Sequence, residues 1–120
     1  METLVIIIQI IIAIGIFNVW ILRYSKESPW RGGSAGNMKE EFRIYGFPDW
    51  FMWLIGFLKL LLASLLVVSI WFPVLKNPAA IGIAILMLGA IVMHFKVKDP
   101  LKKSLPAVSM LLFCLIVTFI

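Results

Sequence analysis

Three side chains carry chemistry into otherwise apolar surroundings in this sequence: Lys59, Asn18 and His94. Lys59 is the only charge between Trp50 and Phe72, a stretch long enough to cross a bilayer. An ammonium near the bilayer centre costs at least ~2.5–3.5 kcal/mol, so it is rarely placed there without a reason. No other apolar segment contains Asp or Glu, so the sequence offers Lys59 no carboxylate within the membrane. A ligand carbonyl or an anionic headgroup would compensate the charge. Lys59 lies ten residues after Asp49, which is about 15 Å along a helix and close to the midplane. Asn18, shortly before Arg23, and His94, shortly before Lys96, fall in the same half of the membrane. All three residues could line one pocket for a quinone or an anionic lipid. Gln9, nine residues before Asn18, is about 180° around an ideal helix and faces elsewhere. The plainer readings are a snorkelling lysine and an interfacial histidine bonded to water.

Other chemistry is largely excluded. A single histidine with no Cys, Asp or Glu in its span is not a metal site. Cys114 is the only cysteine, so the chain cannot form an internal disulfide, and packing is its expected role. No nucleophile–base pair or carboxylate dyad lies within the membrane, so independent catalytic activity is not expected.

With 62% hydrophobic and 14% charged residues, the chain belongs to the membrane class. The expected fold is all-α: a four-transmembrane-helix bundle forming a single integral membrane domain over residues 1–120. Spans are expected at about 4–22, 50–72, 79–95 and 105–120, the last of them short. Five basic residues lie in the loop at 23–49 and four in the loop before the fourth span, against Lys76 alone in the second loop. The positive-inside rule therefore places loops one and three in the cytoplasm and both termini outside. No basic region precedes the first apolar run, which reads as a retained span rather than a cleaved leader. Trp20, Tyr24, Trp50 and Trp53 are expected at the inner interface and Trp71 at the outer one. The basic excess is topological and suits anionic lipid; it does not indicate nucleic acid.

Within loop one, Pro29 and Gly32, Gly33 and Gly36 read as turn. Asn37 with Glu40 resembles a capping box, and Gly46 closes the short helix that follows. Met38, Phe42 and Tyr45 form its apolar stripe beside Lys39 and Arg43. Arg31, Lys39, Phe42, Arg43 and Tyr45 are accordingly expected at the membrane surface, with a cover over a cavity as the sharper alternative. Small residues at Gly82, Gly89 and Ala90, together with Gly56 and Ala63, suggest close packing of the second and third spans.

The order of short motifs is similar to that of the DoxX-like family of small four-helix membrane proteins. It runs through Arg31-Gly32-Gly33, Tyr45-Gly46-Phe47-Pro48, Gly56-Phe57-Leu58-Lys59, then His94 followed by Asp99-Pro100. The resemblance implies a bundle in the bacterial cytoplasmic membrane. It also implies a role such as that of a quinone-linked oxidoreductase subunit or a partner in membrane-protein assembly. Many relatives carry an acidic residue where this chain has Lys59. Two main functions follow: a ligand-binding or accessory subunit of a redox complex, with quinone as the candidate cofactor, or a non-enzymatic assembly scaffold. Partners would be the lipid bilayer and either another membrane protein or further copies of this chain. An oligomeric transporter ranks last, since no membrane-embedded glutamate is present.

Overall fold

Backbone groups surrounded by lipid have no water to bond, so each apolar run satisfies its own N–H and C=O groups as helix. The computed structural model describes residues 2–26 and 28–120; Met1 and Glu27 lie outside the described residues. Its helices are α1 (Glu2–Phe17, continued by a π-turn over Asn18–Leu22), α2 (Met38–Tyr45), α3 (Asp49–Val68), α4 (Lys76–Lys96) and α5 (Leu105–Phe119). Short 3₁₀ turns at Pro73–Leu75 and Leu101–Ser104 lead into α4 and α5. No strand occurs among the described residues. Four helical stretches are long and apolar enough to cross a membrane: Glu2–Leu22, Asp49–Val68, Pro73–Lys96 and Leu101–Phe119. The expected shortness of the fourth span is relieved by the 3₁₀ turn, which lengthens it to 19 residues.

The four long helices form a ring in which α1 and α4 each pack against both α3 and α5. Side-chain meetings fix the directions. Gln9 of α1 bonds Ser69 and Leu66 near the end of α3, while Trp20 meets Gly56 near its start, so the two helices run antiparallel. The axial core holds Ile12, Met52, Leu66, Ile83, Cys114 and Val117, all fully buried. Outward faces remain heavily apolar, with Ile14, Phe57, Trp50 and Trp71 all more than 60% exposed. A soluble surface does not present such bands, and lipid covers them here.

Two packing expectations are corrected. Trp20 does not face outward but is 8% exposed, with its ring lying against Gly56, where there is no side chain. Gly56 in turn serves the α1–α3 contact and not the packing of α3 on α4, which uses Gly82 against Leu62. A Cβ at Gly56 would stand 2.6 Å from the Trp20 ring. Gly56→Leu is therefore expected to lower stability by about 1–3 kcal/mol through overpacking. Gly89→Ala, where a Cβ meets nothing within 4 Å, is expected to be neutral. Thermal unfolding of both variants in nanodiscs checks the contrast.

Candidate functional site

At the end of the bundle that carries the two basic loops, the ring of helices opens into a cavity of about 630 Å³. Its walls come from all four long helices, and α2 with the preceding loop forms a roof. Lys59, Asn18 and His94 all line it, so the structure brings the three chemistry-bearing residues to one space. Asn18 sits at an exposed edge, Lys59 is half-buried and His94 is buried. Arg23 and Lys103 also line the space, as does Glu41, its only carboxylate among the described residues.

Lys59 Nζ stands 5.5 Å from the centroid of the Trp20 ring, a cation–π contact. No hydrogen bond or ion pair to protein satisfies Nζ among the described residues. Trp20 is itself held edge-on by Phe42, with ring centroids 5.9 Å apart. Among the described residues, the only sealed side-chain N or O atom left without a partner is Ser104 Oγ. Lys59 Nζ therefore keeps accessible surface, and the space beside it is the cavity.

The roof is built around Arg31, which is 5% exposed. Its guanidinium donates to the carbonyls of Arg23 (2.6 Å), Tyr24 (3.2 Å) and Lys26 (2.9 Å), and to Glu41 Oε2 at 3.0 Å. Glu41 Oε1 accepts the Gly32 N–H at 3.0 Å and the Tyr45 hydroxyl at 2.8 Å. Burial first, then the charge and hydrogen bond of Glu41, push the Tyr45 phenol well above its ordinary pKa, so it stays a donor. Gly32 lies flat under the Tyr45 ring, where a Cβ would collide. Asn37 caps α2 by accepting the Glu40 N–H at 2.9 Å, and Gly46 ends it in the left-handed region at φ 90°.

These positions correct the expected membrane-surface set. Arg31, Phe42 and Tyr45 are buried inside the protein: Phe42 packs on Trp20, Phe47 and Phe51, Tyr45 on Phe42 and His94, and Arg31 among the groups it bonds. Lys39 and Arg43 do remain exposed, and both pair with Asp49, at 3.5 and 3.4 Å.

Asp99 was not anticipated as a site residue. Its Oδ2 lies 2.7 Å from His94 Nδ1, and both side chains are almost fully buried. The helix ends so that Asp99 N–H bonds the His94 carbonyl at 2.9 Å, with Lys98 at φ 58°, which folds the carboxylate back onto the ring. Asp99 also accepts the Gly33 N–H at 3.0 Å, and Lys103 Nζ donates to the Gly33 carbonyl at 2.6 Å. Loop one is thereby pinned to loop three. Burial alone would raise the Asp99 pKa, but hydrogen bonds from His94 and Gly33, with the Lys103 charge, outweigh it and hold it below its usual value. A depressed carboxyl stabilises the fold above its unfolded pKa, and that contribution disappears as pH falls through the folded value. Hydrogen-exchange protection of the Gly33 amide is therefore expected to persist through pH ~5 and to fall away only below the ordinary carboxylate range near ~4. Asp99→Asn should remove that pH dependence.

No group of three or more His, Cys, Asp or Glu that could hold a metal ion occurs among the described residues. Fold and site together define a small four-helix integral membrane protein with an internal, partly polar cavity at one end. The chain belongs to the DoxX-like family, whose model matches residues 33–118 and so includes Lys59, His94 and Asp99 but not Asn18. No curated protein and no solved structure gives a match.

Proposed function

We propose that this protein is a membrane-embedded binding or accessory subunit that holds an amphiphilic molecule, a quinone or a lipid, in the cavity beside Lys59. The observation that carries the reading is the Lys59 ammonium, which has no acceptor among the described residues and lines a space of about 630 Å³. Small-molecule sites typically occupy 300–1,000 Å³ and combine apolar walls with a few placed polar groups. The walls here suit an apolar body, since Ile16, Phe51, Ile55, Met87 and Met110 all line the space. The cations Lys59, Arg23 and Lys103 suit a carbonyl or anionic head. With the two basic loops in the cytoplasm, the cavity opens at the inner leaflet, and a redox complex in the bacterial cytoplasmic membrane is the setting this reading favours.

The test is mass spectrometry of small molecules retained by the protein in native nanodiscs, run beside Lys59→Met. An amphiphile enriched with the wild type should fall by roughly 10–100-fold in the variant, the worth of one hydrogen bond to a charged group. Identical profiles would remove the ligand reading and leave Lys59 a structural residue.

A further inference from the structure

The His94–Asp99 pair is more than a fastening for the loops. Asp99 receives donors on both oxygens: Gly33 N–H at 3.0 Å from Oδ1, and His94 Nδ1 at 2.7 Å from Oδ2, with Lys103 Nζ 3.9 Å from Oδ1. An ionised carboxylate so surrounded only accepts hydrogen bonds. The shared proton is therefore assigned to His94 Nδ1, which makes Nε2 the exchangeable position of the ring. Nε2 has no protein partner among the described residues, yet it is not one of their sealed, unpartnered atoms. It keeps surface, and His94 lines the cavity. Tyr45 meets the imidazole edge-on at 6.0 Å with its hydroxyl committed to Glu41, and Lys96 is bonded to the Tyr45 carbonyl. An imidazole oriented through Nδ1 by a buried carboxylate, with Nε2 facing a ligand space, has the geometry of a general base.

We propose that His94 exchanges a proton with the molecule held in the cavity, and that this molecule is an amphiphile whose headgroup carries an acidic hydroxyl. This inference rests on the reading that the cavity holds an amphiphile. In the step, the headgroup O–H bond breaks and an N–H bond forms at Nε2. The electron pair of the O–H bond stays on the headgroup oxygen, and nothing is oxidised or reduced. Asp99 balances the imidazolium, and the cationic lining that includes Lys59 and Arg23 balances the new anion. Asp99 touches the ring and the Gly33 N–H but does not line the cavity, and it acts as a positioning residue.

The probe is a para-nitrophenol carrying an ortho dodecyl chain, whose phenolate absorbs at longer wavelength than its phenol and so reports its own ionisation. Its methyl ether reports occupancy without an acidic proton. His94 is the only histidine, so nitrogen NMR of isotope-labelled histidine reads Nδ1 and Nε2 directly in the wild type, with no substitution needed. On binding, the phenol's ionisation constant should rise about tenfold over empty nanodiscs, equal to one pKa unit. The Nε2 resonance should move to its protonated position, the ether should leave it unmoved, and Asp99→Asn should abolish both changes while the probe still binds. A nitrophenol that binds with its ionisation and Nε2 unchanged overturns the proton exchange and leaves the cavity reading standing. Failure of both compounds to bind the wild type overturns the cavity reading and this inference with it.

Discussion

Lys59→Met is expected to raise the thermal stability of the ligand-free protein while removing its ligand. In the native state the ammonium has the Trp20 ring beside it but no acceptor among the described residues. In the unfolded ensemble the same side chain can snorkel to water. Burial of a charge at this depth costs ~2.5–3.5 kcal/mol, and the cation–π contact returns about 0.5–2 kcal/mol. The difference, about 0.5–3 kcal/mol, is what methionine should recover. With saturating ligand the order should reverse, because only the wild type gains binding free energy. Paired melting curves in nanodiscs, with and without the retained amphiphile, make the comparison. A variant less stable than the ligand-free wild type would show that Lys59 is satisfied within the protein.

Arg31→Ala should open loop one without dissolving the bundle. The substitution removes the counter-charge of Glu41, whose side chain is 12% exposed, and takes one donor from the Arg23, Tyr24 and Lys26 carbonyls, of which the first two keep the backbone N–H groups of Lys26 and Met38. Removing one partner of a buried ion pair costs about 3–5 kcal/mol. Arg31→Lys should recover little of it, since an ammonium cannot span the directions that the guanidinium fork serves. Arg31→Met with Glu41→Gln should recover part, because no uncompensated charge remains. The four long helices keep their own contacts, so circular dichroism should stay helical while loop one becomes sensitive to protease. Wild-type resistance in Arg31→Ala would sink the idea that this residue organises the roof.

The four spans were legible because hydropathy alone specifies a helix in lipid. The existence of α2 was legible too, from Asn37 at its start and Gly46 at its end. What covers its apolar stripe was not. Met38, Phe42 and Tyr45 present the same pattern to lipid as to Trp20, and only the three-dimensional position of Trp20 decides between them. Trp20 itself was misplaced because a π-turn changes the angular register of a helix without any residue signalling it. Arg31 was unreadable for another reason: most of its partners are backbone carbonyls, which every residue possesses. For the site, Lys59, Asn18 and His94 were legible as isolated polar groups at similar depth. Asp99 was not, since a pair five residues apart meets only when the helix ends between them. The Asp99-Pro100 step just past His94 was the available signal for such an ending.

The roof of the cavity is fastened by contacts between Gly33 and residues 66 and 70 positions further along the chain. A chain emerging from the ribosome meets these partners last. When α1 and α3 have entered the membrane, Lys59 already has Trp20 beside it, but Asp99, Lys103 and the α5 wall have not been made. Insertion of the final helix thus supplies both the last wall of the cavity and the fastening of its roof.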